Sequence, residues 1–170
     1  MEHDVAAILG NGRAHAGVEQ FLDLDHQIGI PLGGAAHLGL AGRVAVLRGD
    51  WTALLGDNQF DLVVSNPPYI ATEVIETLEP EVRDHEPRIA LDGGPDGLMH
   101  YRVLAPEILR VLKPGGLFAV EIGYDQKDAV EALFREAGAF NVRTQRDLSD
   151  RDRVVTGLKN PLESSGQGAT

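Results

Sequence analysis

Four consecutive residues, Asn66-Pro67-Pro68-Tyr69, place an amide, two prolines and an aromatic ring directly after residues 61–65, Asp-Leu-Val-Val-Ser, whose pattern predicts a buried strand. Proline fixes its own φ and pushes the preceding residue towards extended geometry, so the pair predicts a rigid loop. We expect the Pro67 carbonyl to point outward and the Asn66 amide oxygen to act as a second acceptor. Two fixed acceptors can receive both hydrogens of one NH2 group, while Tyr69 offers a flat face for a planar amide or base.

This arrangement suits methyl transfer to an amide or aromatic amino nitrogen. Such a nitrogen is a poor nucleophile because its lone pair is delocalised, and acceptors that hold both N–H bonds favour its pyramidal form. The lone pair is then directed at an electrophile, for which a sulfonium methyl group is the natural choice. A Pro-Pro pair alone most often marks a plain turn after a strand. The complete Asn-Pro-Pro-Tyr after Asp-Leu-Val-Val-Ser favours the binding loop instead.

The composition sets limits on the class of protein. The chain has 170 residues, 43% apolar content and a net charge of −11, which is typical of one globular domain and unfavourable for binding a phosphate backbone. The absence of cysteine excludes disulfides and thiolate metal sites. His3, His15 and His26 have spacings that fit no closed metal site. Neither a membrane span nor a signal peptide is predicted, so the cytoplasm is the expected compartment.

The pattern of apolar residues predicts an α/β fold with a mostly parallel sheet. The predicted strands are 44–47, 60–64, 117–122, 140–144 and 153–156, and the predicted helices are 98–112 and 126–137. Ligands bind such sheets at the carboxyl ends of the strands, where Asp50 and Asn66 are expected to lie.

Three local signals predict how the helices begin and end. Pro106 should kink the first helix or divide it into two pieces. The Lys-Pro-Gly-Gly turn of residues 113–116 should stop that helix before the next strand. Asp125 should cap the second helix. The tail 160–170, rich in Ser, Gly and Gln, is predicted to be disordered.

An acidic stretch follows the proline loop directly. Residues 71–100 contain eight acids against two arginines: Glu73, Glu76, Glu79, Glu81, Asp84, Glu86, Asp92 and Asp96 against Arg83 and Arg88. The stretch is interpreted either as a solvated loop or as an acidic rim that favours a basic protein partner.

From about residue 37 to residue 158 the chain resembles the catalytic domain of the HemK/PrmC methyltransferases. The matching segments, in chain order, are GLAGRVAVLRGDW, DLVVSNPPYI, VRDHEPRIALDGGPDGL, LKPGGLFAVEIGYDQ and DLSDRDRVVTG. Asn-Pro-Pro-Tyr is shared with other amino methyltransferases, whereas Ala-Leu-Asp-Gly-Gly and Arg-Asp-Arg-Val-Val are narrower signals. The resemblance implies a Rossmann-like class I methyltransferase sheet of order 3-2-1-4-5-7-6 in the family's strand numbers, with an antiparallel hairpin at its C-terminal end.

The resemblance also implies an activity and roles for individual residues. The family transfers a methyl group from S-adenosylmethionine to the glutamine side-chain nitrogen in the GGQ motif of peptide chain release factors. Asn66 and the Pro67 carbonyl would hold the glutamine amide, and Pro68 and Tyr69 would shape its pocket. Trp51 would lie by the adenine with Asp50 beside it, and Asn66 would also contact the cofactor. Glu86 and Asp92 would support the loop.

The first 36 residues depart from the family pattern. The family has a helical domain before the catalytic domain and an Asp-x-Gly-x-Gly-x-Gly cofactor loop, whereas residues 25–28 here read Asp-His-Gln-Ile. Fewer residues separate Gly29 from Asp50 than the roughly 30 that a βαβ unit needs. Residues 1–36 are therefore expected to be an atypical or truncated segment before a catalytic domain at 37–159.

Three hypotheses follow from these residues. The chain is a release-factor glutamine methyltransferase, a methyltransferase for an exocyclic amino group of DNA or RNA, or a remnant of the family without catalysis. The net charge of −11 and the C-terminal matches favour the first over the second.

Overall fold

The computed structural model describes residues 51–77 and 88–161. Four strands and four helices make up this part of the chain. In chain order they are β1 (Phe60–Ser65), α1 (Thr72–Ile75), α2 (Arg88–Leu91), α3 (Met99–Val111), β2 (Leu112–Glu121), α4 (Lys127–Glu136), β3 (Ala139–Arg146) and β4 (Asp152–Lys159).

The strands form one mixed sheet of order β1-β2-β4-β3. β1 and β2 are parallel and are linked by a crossover that contains α3, while β4 is antiparallel to both β2 and β3. Two parallel strands followed by a hairpin whose last strand lies inside is the 4-5-7-6 edge of the order expected from the resemblance. The fold class is therefore confirmed as Rossmann-like α/β.

The Lys-Pro-Gly-Gly segment was predicted as a turn between helix and strand, but it lies within β2. Phe60 pairs with Leu112 and Leu62 pairs with Leu117, so residues 113–116 form a bulge opposite a single residue of β1. Gly115 has a φ of 77°, which glycine tolerates, and Lys113 Nζ lies 2.8 Å from an Asp61 carboxylate oxygen. The helix ends where expected because the backbone of Leu112 is already extended.

Helix α3 runs unbroken through Pro106, so of the two predicted effects, a kink or a division, the division is wrong. Pro106 lies on the exposed side of the helix, and Arg102, whose carbonyl it leaves without its usual donor, is exposed as well. Water can satisfy that carbonyl, which lowers the cost of the proline. The opposite side of the helix carries the predicted apolar stripe, and Leu104, Ile108 and Val111 are fully buried.

Helix α4 completes the core. The Phe134 ring stacks on Phe118 of β2 with a centroid separation of 4.2 Å. Opposite Phe118 on β4 stands Gly157, where a Cβ would lie 2.7 Å from the ring, so glycine makes room for this aromatic pair. The predicted cap is wrong: the N-cap is Gln126 rather than Asp125, and no side chain caps the helix. The Gln126 side chain makes other bonds, described below.

Because the Phe134 ring is fully buried against Phe118, its removal should be costly. We expect Phe134→Ala to lower the free energy of unfolding by about 3–5 kcal/mol. Leu133→Ala, at a half-buried position on the same helix, should cost clearly less. Urea unfolding followed by circular dichroism measures both values, and equal losses would contradict the assigned core.

Several predictions lie outside the described residues. They are the strand at 44–47, Asp50, Glu86, the three N-terminal histidines and most of the tail. The tail's first two residues, 160 and 161, are described and follow directly on β4. No helix within 51–77 or 88–161 is both long and apolar enough to cross a membrane.

Candidate functional site

The proline loop begins at the carboxyl end of β1, as the parallel sheet requires. Asn66 is exposed, Pro67 is buried, and Pro68 and Tyr69 are half-buried. No residue of the described ranges donates a hydrogen bond to the Asn66 amide oxygen or to the Pro67 carbonyl. Both acceptors are thus compatible with a role in holding an external NH2 group.

A second segment, residues 91–97, runs beside the loop and holds its far end. Ile70 and Asp92 form an isolated parallel β-bridge. The Ile70 amide donates to the Leu91 carbonyl at 3.0 Å, and the Gly93 amide donates to the Ile70 carbonyl at 2.8 Å. The proline loop is therefore attached to this segment by backbone hydrogen bonds on both sides of one residue.

The Asp92 side chain also stabilises the contact between the proline loop and residues 91–97. One carboxylate oxygen accepts from the Thr72 hydroxyl at 2.7 Å and from the Gly94 amide at 3.0 Å. The hydrogen bond from Thr72, followed by that from Gly94, holds the pKa of the Asp92 carboxyl below its ordinary value. The Asp92 carbonyl also lies 3.0 Å from His100 Nε2. These contacts agree with the supporting role that the resemblance implies for Asp92.

Two glycines of the same segment pack on the Tyr69 backbone. A Cβ at Gly93 would lie 2.8 Å from the Tyr69 Cα, and one at Gly97 would lie 2.5 Å from the Tyr69 carbonyl oxygen. Gly97 also has a φ of 72°, in the left-handed region. Glycine at positions 93 and 97 is therefore a packing requirement of the proline loop.

The Tyr69 side chain reaches the end of β2. Its hydroxyl donates to a Glu121 carboxylate oxygen at 3.2 Å, and that same oxygen lies 4.0 Å from the Arg153 guanidinium at the start of β4. Burial, and then the charge of Glu121, raise the pKa of the Tyr69 phenol above its ordinary value. The hydroxyl therefore stays protonated, and available as a donor, at neutral pH.

Gln126 joins three segments at this point. Its Nε2 donates to the Tyr69 carbonyl at 2.9 Å and to the Gly97 carbonyl at 3.2 Å. Its Oε1 accepts from the Gly123 amide at 3.0 Å. One half-buried side chain thereby ties the proline loop and the glycine segment to the loop that leaves β2.

Trp51 lies in a turn that is anchored to α3. Its φ is 48°, and its half-buried ring packs on His100 with a centroid separation of 5.2 Å. Arg110 of α3 donates to the Thr52 carbonyl at 3.0 Å and to the Leu55 carbonyl at 2.9 Å. The turn after Trp51 is therefore held in place by the helix whose first residues carry His100.

The described part of the acidic stretch is largely paired within the chain. Glu76 forms an ion pair with Arg88 at 2.8 Å, and Asp96 forms one with Arg102 at 2.5 Å. With Asp92 held by Thr72, these contacts favour a structured loop over a free acidic rim. Among the residues that the structure describes, no group of His, Cys, Asp or Glu could hold a metal ion.

Sequence reasoning did not single out four residues that hold the candidate site: Gly97, Arg110, Glu121 and Gln126. Gly97 and Gln126 stand inside segments that carry the family resemblance, so their identity was visible while their contacts were not. Glu121 ends a strand at the ligand edge of the sheet, and a polar residue at that position could have been predicted to lie near the site. Nothing in the sequence distinguishes Arg110 from other arginines on exposed helix faces.

The chain is similar in sequence to curated proteins named release factor glutamine methyltransferases. It is 77% identical over 130 residues to the release factor glutamine methyltransferase of Caulobacter vibrioides and 48% identical over 115 residues to that of Geobacter sulfurreducens. These matches cover 76% and 68% of this chain but only 45% and 40% of the two relatives. The chain thus spans less than half the length of these curated relatives.

Among solved structures, the release factor-specific protein-(glutamine-N5) methyltransferase of Alicyclobacillus acidocaldarius is 32% identical to this chain. The match covers 61% of this chain and 50% of that one, with a TM-score of 0.38. No family model matches the chain. The long match at 77% identity carries the assignment: this chain belongs to the HemK/PrmC family, whose curated members are named release factor glutamine methyltransferases.

Proposed function

We propose that residues 37–159 are the C-terminal part of a catalytic domain that methylates the glutamine side-chain amide of peptide chain release factors. The proposal rests on the loop Asn66–Tyr69, which begins at the ligand edge of the sheet and whose Asn66 amide oxygen and Pro67 carbonyl accept no hydrogen bond from the described residues. The names of the relatives at 77% and 48% identity support glutamine as the acceptor residue.

The substrate amide would lie between the Asn66 side chain and the Pro67 carbonyl. Each acceptor would take one N–H hydrogen, so the lone pair would leave the plane of the amide and point towards the methyl donor. Tyr69 and Pro68 would provide the walls. The hydrogen bond from the Tyr69 hydroxyl to Glu121 fixes the far end of the Tyr69 ring beside the loop.

S-adenosylmethionine would supply the electrophilic methyl group. The described residues fit one side of it: Trp51 offers an aromatic ring for the adenine, and Asn66 stands at the carboxyl end of β1, where ligands of such sheets bind. Asp50 would lie beside Trp51. The described residues would form the substrate side of the proposed site and the wall for the adenine.

Binding of the donor is the direct test of this proposal. Trp51 is the chain's only tryptophan, so its fluorescence reports on the proposed adenine wall. We expect S-adenosylmethionine to change this fluorescence saturably, with a Kd on the order of micromolar that isothermal titration reproduces. Trp51→Phe should remove the signal while titration still detects binding. No binding at millimolar concentration would rule out catalysis by this chain and favour the remnant.

Transfer of a labelled methyl group then distinguishes the substrate classes. We expect labelling of the GGQ-containing domain of a release factor and none of DNA or RNA. A chain with a net charge of −11 is unsuited to a phosphate backbone, because affinity for duplexes comes mainly from Lys and Arg. Labelling of nucleic acid but not of the release factor would reverse the assignment.

A further inference from the structure

Gln126 has a contact pattern that its position as a helix N-cap does not require. No side chain caps α4, and the Gln126 side chain turns to backbone groups outside the helix. Both hydrogen-bonding ends of its amide are engaged: Nε2 donates to the carbonyls of Tyr69 and Gly97, and Oε1 accepts from the Gly123 amide. Each contact is to a main-chain atom, so each fixes the path of a segment.

The neighbouring backbone approaches the Gln126 amide so closely that a side chain of another shape would not fit in its place. A Cβ at Gly97 would lie 2.5 Å from Gln126 Nε2, and a Cβ at Gly123 would lie 3.0 Å from Gln126 Oε1. Two glycines thus leave space for one side chain. A group of another shape or polarity at position 126 would displace the segments that it now joins.

The contacts of Tyr69 constrain the rest of the proline loop because that loop is rigid. Tyr69 is held at two points, by Glu121 at its hydroxyl and by Gln126 at its carbonyl. Because the two prolines leave few free backbone dihedral angles between Tyr69 and Asn66, the position of the Tyr69 carbonyl also constrains the direction of the Pro67 carbonyl and the position of the Asn66 Cα. Gln126 is the only contact of the described residues that bonds the Tyr69 carbonyl through a side chain.

We propose that Gln126 is a positioning residue for the Asn66–Pro67 acceptor pair, which deepens and rests on the proposed function. It touches neither substrate nor donor. By donating to the Tyr69 carbonyl it keeps the loop in the orientation in which both acceptors face one NH2 group. Misplacement of a reacting group by about 1 Å can cost about 100-fold in rate, so the effect should appear in kcat.

Gln126→Glu is the sharpest test because it keeps the size of the side chain and the acceptor for Gly123. It replaces the donor by a carboxylate oxygen that faces two carbonyls. We expect kcat to fall about 10- to 100-fold. The KM for the release factor and the Kd for S-adenosylmethionine should change less than about threefold. Gln145→Glu, at an exposed position on β3, makes the same change of charge and should leave all three values unaltered.

The pH profile of Gln126→Glu provides a second readout. Two facing carbonyl oxygens disfavour the ionised form, so the introduced carboxyl should have a raised pKa. Below that pKa the protonated group regains a donor, and kcat relative to the parent chain should rise as the pH falls. A role in stability alone would not change kcat in protein that circular dichroism shows to be fully folded. If Gln126→Glu does not fold, Gln126→Met removes the donor without adding charge.

Hydrogen exchange of the Ile70 and Gly93 amides tests the inference without any catalysis. We expect both amides to exchange at least about tenfold faster in Gln126→Glu than in the parent chain and in Gln145→Glu. If the parent chain transfers no methyl group, the proposed function fails while this exchange result still decides the role of Gln126. Unchanged exchange, or a kcat equal to that of Gln145→Glu, would overturn the inference.

Discussion

Asn66→Ala should reduce kcat for methyl transfer to a release-factor glutamine by about 10²- to 10³-fold. This is the loss that usually follows removal of one hydrogen-bonding group that acts mainly in the transition state. The Kd for S-adenosylmethionine should change far less, because the lost acceptor acts on the nucleophile. Steady-state transfer of a labelled methyl group measures kcat, and isothermal titration measures the Kd.

Asn66→Asp is the matched variant, since it keeps an acceptor oxygen at the same position. It should retain more activity than Asn66→Ala, and the difference between the two isolates the acceptor from the volume of the side chain. Asn66 is exposed, so neither change should alter the free energy of unfolding by more than about 0.5 kcal/mol. Unchanged turnover in Asn66→Ala would remove the acceptor role from the proposal.

Gly97→Ala should have the largest effect on the site among changes outside the loop itself. The new Cβ would lie 2.5 Å from the Tyr69 carbonyl oxygen, at a residue whose φ is 72°. The left-handed backbone costs about 1–2 kcal/mol and the overpacking about 1–3 kcal/mol, so we expect a loss of roughly 2–5 kcal/mol in the free energy of unfolding. The Tyr69 carbonyl must also move away from Gln126, so methyl transfer should fall sharply in whatever protein remains folded.

Gly115→Ala separates the cost of the left-handed backbone from the cost of the collision with Tyr69. Gly115 has a φ of 77°, almost the same as Gly97, but a Cβ there would meet nothing within 4 Å. Urea unfolding of both variants should therefore show only the backbone cost at Gly115 and the backbone cost plus the collision at Gly97. If the two losses were equal, the close approach of Gly97 to Tyr69 would be absent in solution.

The sequence predicted the parts of the site that depend on local geometry. Prolines restrict their own dihedral angles and those of the preceding residue, so the sequence of residues 66–69 alone predicts that the loop is rigid. The strand before the loop and the core face of α3 also follow from periodicity alone. The parallel order of β1 and β2 then places the loop at the ligand edge.

The remaining contacts depend on distances between segments that are remote in sequence. Gln126 bonds a carbonyl 57 positions away, and Tyr69 bonds a carboxylate 52 positions away. The same limit explains the wrong prediction for Asp125: local rules favour Asp as an N-cap, but here the residues before α4 are placed by bonds to the proline loop. The Lys-Pro-Gly-Gly bulge was missed because turn residues look alike between elements and within a strand.

The junction of Ile70 with Asp92 has a consequence for what sets the orientation of the acceptor pair. Residues 70–72 lie at one end of this part of the chain and residues 88–92 at the other, joined by the bridge between Ile70 and Asp92. Glu76 and Arg88 also form an ion pair between the two ends. Since both ends of this part of the chain are fastened beside the loop, the number of residues between them does not set the position of Asn66. The orientation of the acceptor pair should therefore respond to changes at Ile70, Thr72 and Asp92, which make the contacts at the two ends, rather than to the sequence distance between those ends.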